Sequence, residues 1–195
     1  MVNDKEVDRG KRRFLLAATT AMGGVAAVGV AIPFVASMWP SARAKAAGAP
    51  VVVDVSKVEP GMQITVPWRG KPVWFLHRTP EMLSTLQLHN GRLRDPDSND
   101  PQQPPYCKNP TRSIKPEYMV VVGICTHLGC VPSFVPQINP PGVPHPWEGG
   151  YHCPCHGSLY DLAARVFKDV PAPLNMVVPP HKYLSDKVIK VGEDA

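Results

Sequence analysis

The chain is expected to fold as a mainly β head carried on one N-terminal transmembrane helix. Three observations predict this: an uncharged run from Phe14 to Trp39, a series of short β-branched or aromatic runs bounded by Gly, Pro or Asp, and six prolines crowded between Val131 and Glu148. The first suits lipid, the second has the length and chemistry of strands, and the third denies its stretch a regular helix or central strand.

The uncharged run is 26 residues long, and a helix of about 20 already spans the hydrocarbon layer. Residues 14–39 are therefore read as a membrane anchor; its glycines and Pro33 are tolerated in such helices. A signal peptide's apolar region is only about 7 to 15 residues, which favours an uncleaved anchor, although Ala42-Arg43-Ala44 and Ala44-Lys45-Ala46 both have the small-x-small form of a cleavage site. Residues 1–13 form the tail before it. Lys5, Arg9, Lys11, Arg12 and Arg13 precede the span and only Arg43 and Lys45 follow closely, so the positive-inside rule puts the tail in the cytoplasm and the head on the far side. Lys11-Arg12-Arg13-Phe14-Leu15 also resembles a twin-arginine export signal, with Lys11-Arg12 as the in-register pair. Residues 40–50 are read as a flexible linker, because Ala42 to Pro50 is small, polar and slightly basic, without a hydrophobic period.

The head, residues 51–195, has the size of one ordinary domain. Val51 to Val55, Gln63 to Val66, Val73 to Leu76 and Tyr118 to Ile124 are expected strands, and Asn175 to Val178 and Lys187 to Val191 closing strands. A helix is expected over Pro80 to Leu88, with Thr79 as N-cap and Glu81 in its first turn. Asn90 to Pro116, rich in Pro, Asp and Asn, reads as a surface excursion, and Val131 to Glu148 as a stiffened loop. Residues 1–45 hold 7 basic and 3 acidic side chains, leaving 14 and 13 for the rest; a near-neutral head argues against a nucleic-acid partner.

Two short boxes carry the chemistry: Cys125-Thr-His127-Leu-Gly-Cys130 and Cys153-Pro-Cys155-His156-Gly-Ser158. Two Cys thiolates on one iron and two His imidazoles on the other is the ligand set of a Rieske 2Fe-2S centre, in which neutral His replaces anionic Cys and raises the reduction potential. Cys125 and His127 flank a single residue, and Gly129 lets the backbone turn sharply beneath them. The same residue types also suit tetrahedral zinc, although six candidate ligands exceed what one such ion takes. The fifth cysteine, Cys107, is read as a free thiol or a minor interface residue. His77, His89, His145, His152 and His181 lie outside the boxes and are read as surface or loop residues, with His152 notable for its place beside Cys153.

The boxes resemble those of the Rieske iron-sulfur subunit of cytochrome bc complexes, the ubiquinol:cytochrome c oxidoreductases. The segments Trp68-Arg69-Gly70-Lys71-Pro72-Val73, His77-Arg78-Thr79, Leu93-Arg94-Asp95-Pro96 and Pro171-Ala172-Pro173-Leu174-Asn175 are similar to that family as well. The resemblance implies an antiparallel base domain with an inserted cluster-binding subdomain at about 124–162, and one 2Fe-2S cluster. It further implies that Cys125 and Cys153 ligate one iron, that His127 and His156 ligate the other, and that Cys130 pairs with Cys155 in a disulfide. Ser158 and Tyr160 match positions whose hydroxyls hydrogen-bond a bridging sulfide and a ligand cysteine sulfur, raising the potential. By the same resemblance His156 is the catalytic contact to ubiquinol, and the partners are a cytochrome b subunit and a c-type cytochrome subunit within a dimeric, proton-translocating complex of the bacterial inner membrane, with the head in the periplasm. A periplasmic disulfide agrees with that compartment. The chain departs from the family where Asp169-Val170-Pro171-Ala172-Pro173 replaces a Gly-Pro-Ala-Pro run, and where a glycine is usual near Ala163 or Ala164.

Two other classes compete. The small Rieske subunit of a periplasmic oxidase, such as arsenite oxidase, can share the export signal and the extra cysteines, but Trp68 to Val73 and His77 to Thr79 argue against it. A soluble ferredoxin or oxygenase domain usually lacks the pair that Cys130 and Cys155 supply.

Overall fold

The computed structural model describes residues 8–194 and divides into two compact units, 1–46 and 47–195. In the first, helix α1 spans Arg9–Ser37. It starts ahead of the apolar run because Asp8 caps it, its Oδ1 accepting from the N–H groups of Gly10 at 2.9 Å and Lys11 at 3.2 Å. At 29 residues it is about 43 Å long, more than the roughly 30 Å a bilayer core requires. Lys5, counted in the basic tail, lies outside the described residues. The expected linker contains a short helix, α2 over Ala42–Ala47, since four of its six residues are alanine, the strongest helix former.

The second unit is built from three three-stranded antiparallel sheets. The central one joins β2 (Gln63–Trp68), β3 (Lys71–His77) and β4 (Tyr118–Val122), with β3 in the middle. Side chains alternate across a strand, so β3 and β4 serve two cores at once. Val73, Phe75, Tyr118, Val120 and Val122 pack with Val53, Ile189 and Val191, which belong to the sheet β1 (Val51–Asp54), β9 (Val188–Val191) and β8 (His181–Ser185). On the opposite face Trp74, Leu76, Met119 and Val121 share a core with Cys125, Tyr151, Cys153 and Tyr160. Burial on both faces is why β4 reads as an unbroken apolar run.

The third sheet joins β5 (Ser133–Val135), β6 (Gly150–His152) and β7 (Leu159–Tyr160). The chain enters it from β4 through Gly123, where an added Cβ would lie 2.2 Å from the Trp74 indole; the bare backbone lets Trp74 stack on Tyr151 with ring centroids 4.8 Å apart. Helix α3 covers Pro80–Thr85 with Thr79 as N-cap, its hydroxyl accepting from the Met82 N–H. It is shorter than expected at its C-terminal end.

Several expectations need correction. Val131 to Glu148 is mostly loop, but β5 forms inside it, at a sheet edge between Pro132 and Pro136 where missing N–H groups cost no ladder bond. Asn175 to Val178 makes no strand, because a single bond, from the Val122 N–H of β4 to the Val177 carbonyl, ties it to a sheet, while Asn175 Oδ1 accepts from the Val166 N–H, and the Met176 and Val178 N–H groups donate to the loop carbonyls of Ala164 and Gln102. The closing strand beside β9 is instead β8. Asn90 to Pro116 is not purely surface, since Leu93, Cys107 and Arg112 are buried. His89 and His181 are also buried, each held by a ring contact, His89 to Glu148 at 2.9 Å and His181 to the Pro179 carbonyl at 2.8 Å. Cys107 is a free thiol, but full burial removes it from any surface and pushes its pKa up to about 11. Ala164, where a glycine is usual, sits at φ 59°, in the left-handed region, so the departure keeps the backbone shape at the cost of a Cβ contact.

Candidate metal centre

The two boxes form loops of the same design. In each, the first cysteine's N–H donates to the carbonyl five residues on, Cys125 to Cys130 at 2.7 Å and Cys153 to Ser158 at 2.8 Å. The glycine four residues on donates back to the cysteine carbonyl, Gly129 to Cys125 at 3.0 Å and Gly157 to Cys153 at 2.9 Å. Gly129 and Gly157 take φ values of 85° and 76°, which glycine adopts without steric cost. The loops therefore turn under their cysteines and lift the following histidine outward. Cys125 and Cys153 end up buried, His127 half-buried and His156 exposed. The two imidazoles meet edge to face with centroids 4.8 Å apart.

Cys130 and Cys155 form a disulfide across the loops, with Cα atoms 6.7 Å apart. The sulfurs of Cys130, Cys153 and Cys155 lie within 4.8 Å of one another, and of these only Cys153 remains free to ligate. Two thiols and two imidazoles are left at the mouth of the site. That donor set, soft sulfur inside and imidazole outside, fits a 2Fe-2S cluster of the Rieske type. It also has the composition of a zinc site, so the donors alone do not choose between them.

The surroundings favour the redox centre. Tyr160 donates from its hydroxyl to Cys125 Sγ at 3.3 Å. The Thr126 N–H donates to the Tyr160 oxygen at 3.0 Å, the Thr126 hydroxyl donates to the Leu174 carbonyl at 2.7 Å, and the Thr126 and Tyr160 hydroxyls lie 3.2 Å apart, which fixes the tyrosine hydroxyl beside the sulfur. Ser158 is buried, and its oxygen accepts the Ala172 N–H at 3.1 Å. Burial raises the Cys125 thiol pKa, but hydrogen bonds from Tyr160, the His127 backbone, Cys153 and Ser158 outweigh it and the net shift is downward. Cys153 shifts upward, through burial and through its neighbour Cys125. Desolvation and the bond to Cys125 raise Tyr160, keeping it a protonated donor.

The structure thus brings Cys125, His127, Cys153, His156, Ser158 and Tyr160 to one place. Sequence reasoning passed over Thr126, although it lies inside the first box, because a threonine in a loop carries no signal until the Pro171–Asn175 segment is seen to return over it. It also passed over Asp161 and Arg165, the buried pair that follows Tyr160, with Arg165 Nε 2.8 Å from Asp161 Oδ2.

Residues 106–180 match the Rieske [2Fe-2S] domain, and residues 1–41 match the ubiquinol-cytochrome c reductase Fe-S subunit TAT signal. The chain is 61% identical over 188 residues to the ubiquinol-cytochrome c reductase iron-sulfur subunit of Allochromatium vinosum, covering 96% of this chain and 91% of that one. It belongs to that family. The corresponding subunit of Bradyrhizobium diazoefficiens is 39% identical, with 93% of this chain and 94% of the relative covered. A chain of a solved hyperthermophilic respiratory Complex III aligns with TM-score 0.48 and 26% identity, over 89% of this chain and 97% of its own length. With the family come a Rieske 2Fe-2S cluster as cofactor and an electron-transfer role as a subunit of an oxidoreductase. The family decides between iron–sulfur and zinc.

Proposed function

We propose that this subunit takes one electron, with a proton, from ubiquinol bound on a cytochrome b subunit and delivers the electron to a c-type cytochrome subunit. The observation that carries this reading is the layout of the two loops: buried Cys125 and Cys153, outward His127 and His156, and a disulfide locking the loops together. Cys125 and Cys153 hold one iron, and His127 and His156 the other. The cluster, when bound, supplies a one-electron redox step. His156 is the more exposed of the two imidazoles; in the oxidised state, once its ring nitrogen not engaged by iron has released its proton, that nitrogen would accept a hydrogen bond from the quinol and receive the quinol's proton. Tyr160 and Ser158 withdraw electron density from sulfur through their hydroxyls and raise the potential.

Placement follows from charge and redox chemistry. The basic residues Arg9, Lys11, Arg12 and Arg13 stand at the start of α1, so the N-terminus lies in the cytoplasm and α1 anchors the chain in the bacterial inner membrane. The head then lies in the periplasm, where a disulfide persists. Donor and acceptor occupy different subunits, so the head moves between them. Residues 40–50 permit this: α2 has six residues, fewer than the about 12 to 15 an isolated helix needs in water, and its conversion to extended chain roughly doubles its reach, from about 1.5 to about 3.3 Å per residue.

Redox titration of the full subunit against pH tests the ligand set. An iron-bound imidazole keeps a proton on its other nitrogen, and reduction strengthens its hold on that proton. The potential should therefore fall as pH rises through the neutral and alkaline range, by up to about 59 mV per unit for each proton coupled to the single electron. A level potential throughout would rule out histidine ligation.

A further inference from the structure

The turn that follows Tyr160 is clamped by three buried arginines, which reach the carbonyls of Leu162, Ala163 and Ala164 and the carboxylate of Asp161. Tyr160 and Val166 form an antiparallel bridge, and residues 161–165 close it. Arg165 donates from Nε to Asp161 Oδ2 at 2.8 Å, while Asp161 Oδ1 accepts from the N–H groups of Ala163 at 2.9 Å and Arg165 at 2.8 Å. Arg78, at the end of β3, donates to the Leu162 carbonyl at 3.2 Å, and Arg112 donates to the carbonyls of Ala163 at 3.2 Å and Ala164 at 3.1 Å. The same guanidinium groups reach outward to fixed backbone: Arg78 to Pro116 and Thr111, Arg112 to Met176, and Arg165 to Leu86 and Pro96. All three side chains are at most 2% exposed.

Burying three guanidinium groups is costly unless their forks are used, and Arg112 Nε is buried without a partner. A plain hydrophobic turn would avoid that cost. What the clamp secures is the placement of the residue next to it, since the Tyr160 hydroxyl must stay within hydrogen-bond reach of Cys125 Sγ, at 3.3 Å, from a strand of only two residues.

We propose that Arg78, Arg112 and Arg165 are positioning residues for the Tyr160 hydroxyl, acting through the 161–165 turn and thereby setting the reduction potential of the site. This rests on the tuning role of Tyr160 given above.

The test is a double-mutant cycle on the full subunit in its membrane complex, reading the midpoint potential and the reduced-cluster electron paramagnetic resonance spectrum. Arg112→Lys, Arg78→Lys and Arg165→Lys each keep the charge and lose the planar fork. Each is compared with wild type and again in a Tyr160→Phe background. The expected result is a downward shift of up to about tenfold in the reduction equilibrium, about 59 mV for one electron, that disappears once Tyr160→Phe is present. Three variants are used so that loss of one to misfolding leaves the others to decide. A potential equal to wild type in a lysine variant with full cluster occupancy overturns the inference, as does a shift of equal size with and without the tyrosine hydroxyl. If Tyr160→Phe alone leaves the potential unchanged, the tuning role itself fails, and the two failures are thus told apart.

Discussion

Tyr160 and Ser158 illustrate how single hydroxyls act when backbone N–H groups, of Thr126 and Ala172 respectively, hold their oxygens in place. Tyr160→Phe removes the donor to Cys125 Sγ, and Ser158→Ala removes the second hydroxyl of the site. Each should lower the potential and slow quinol oxidation while cluster occupancy stays near wild type; redox titration with iron and sulfide assay checks both halves of that statement. Asp161 acts on stability instead. Burial would raise its carboxyl, but the His89 contact and the bonds and charge of Arg165 prevail and hold it below the usual carboxylate range. A lowered folded-state pKa gives stability that is fully present above the unfolded value of about 3.9 and is lost as pH falls through the folded value. Asp161→Asn should therefore flatten the acid limb of the stability curve, and should cost about 3 to 5 kcal/mol at neutral pH by leaving Arg165 buried without its partner. Denaturant unfolding at a series of pH values would show both effects.

At the scale of elements, the short sheet of β5, β6 and β7 survives because its neighbours permit no slack. Gly150 in β6 lies so close to β7 that an added Cβ would stand 2.0 Å from the Tyr160 carbonyl oxygen. Gly150→Ala should separate the two strands and destabilise the head by about 1 to 3 kcal/mol or more, as overpacking at an unyielding backbone does; a thermal melt with a lowered Tm and partial cluster loss is the expected result. The disulfide holds the opposite side of the site. It closes a loop of 25 residues, worth about 3.5 kcal/mol in the chain-entropy account. Cys130→Ser or Cys155→Ser should loosen both loops and lower cluster occupancy and potential together, and mass spectrometry of native wild-type protein should find these two thiols resistant to alkylation until reduced.

For the whole molecule the proposed function divides the chain between an anchor that stays and a head that carries the electron. The segment 42–47 stands between them as a six-residue helix, and two or three prolines placed there should remove its helical state and stiffen it as an extended rod. The expected outcome is a normal reduced-cluster spectrum and potential with a several-fold loss of complex turnover. Full turnover with such a linker would show that the head need not move.

Much of this was legible in the residues because their chemistry is local. The long apolar helix α1 follows from an uncharged run, the gathering of cysteines and histidines from two boxes whose spacing fits one loop each, and β2, β3 and β4 from β-branched runs long enough to show their pattern. Thr79 has the residue type and setting of a cap in the sequence, whereas Asp8 shows itself as one only through its bonds to Gly10 and Lys11. What tertiary structure alone decided is pairing between distant segments. β6 and β7 have three and two residues, too few for any periodicity, and exist because Tyr151 stacks on Trp74 and Tyr160 bridges to Val166. Asn90 to Pro116 has the composition of a surface loop, yet Arg112 within it is buried because carbonyls from the 161–165 turn and from Met176 converge on its guanidinium. A hydrogen-bond partner fifty or more residues away leaves no mark on the local sequence, so the boxes name the donors of the site while the fold determines how firmly they are held.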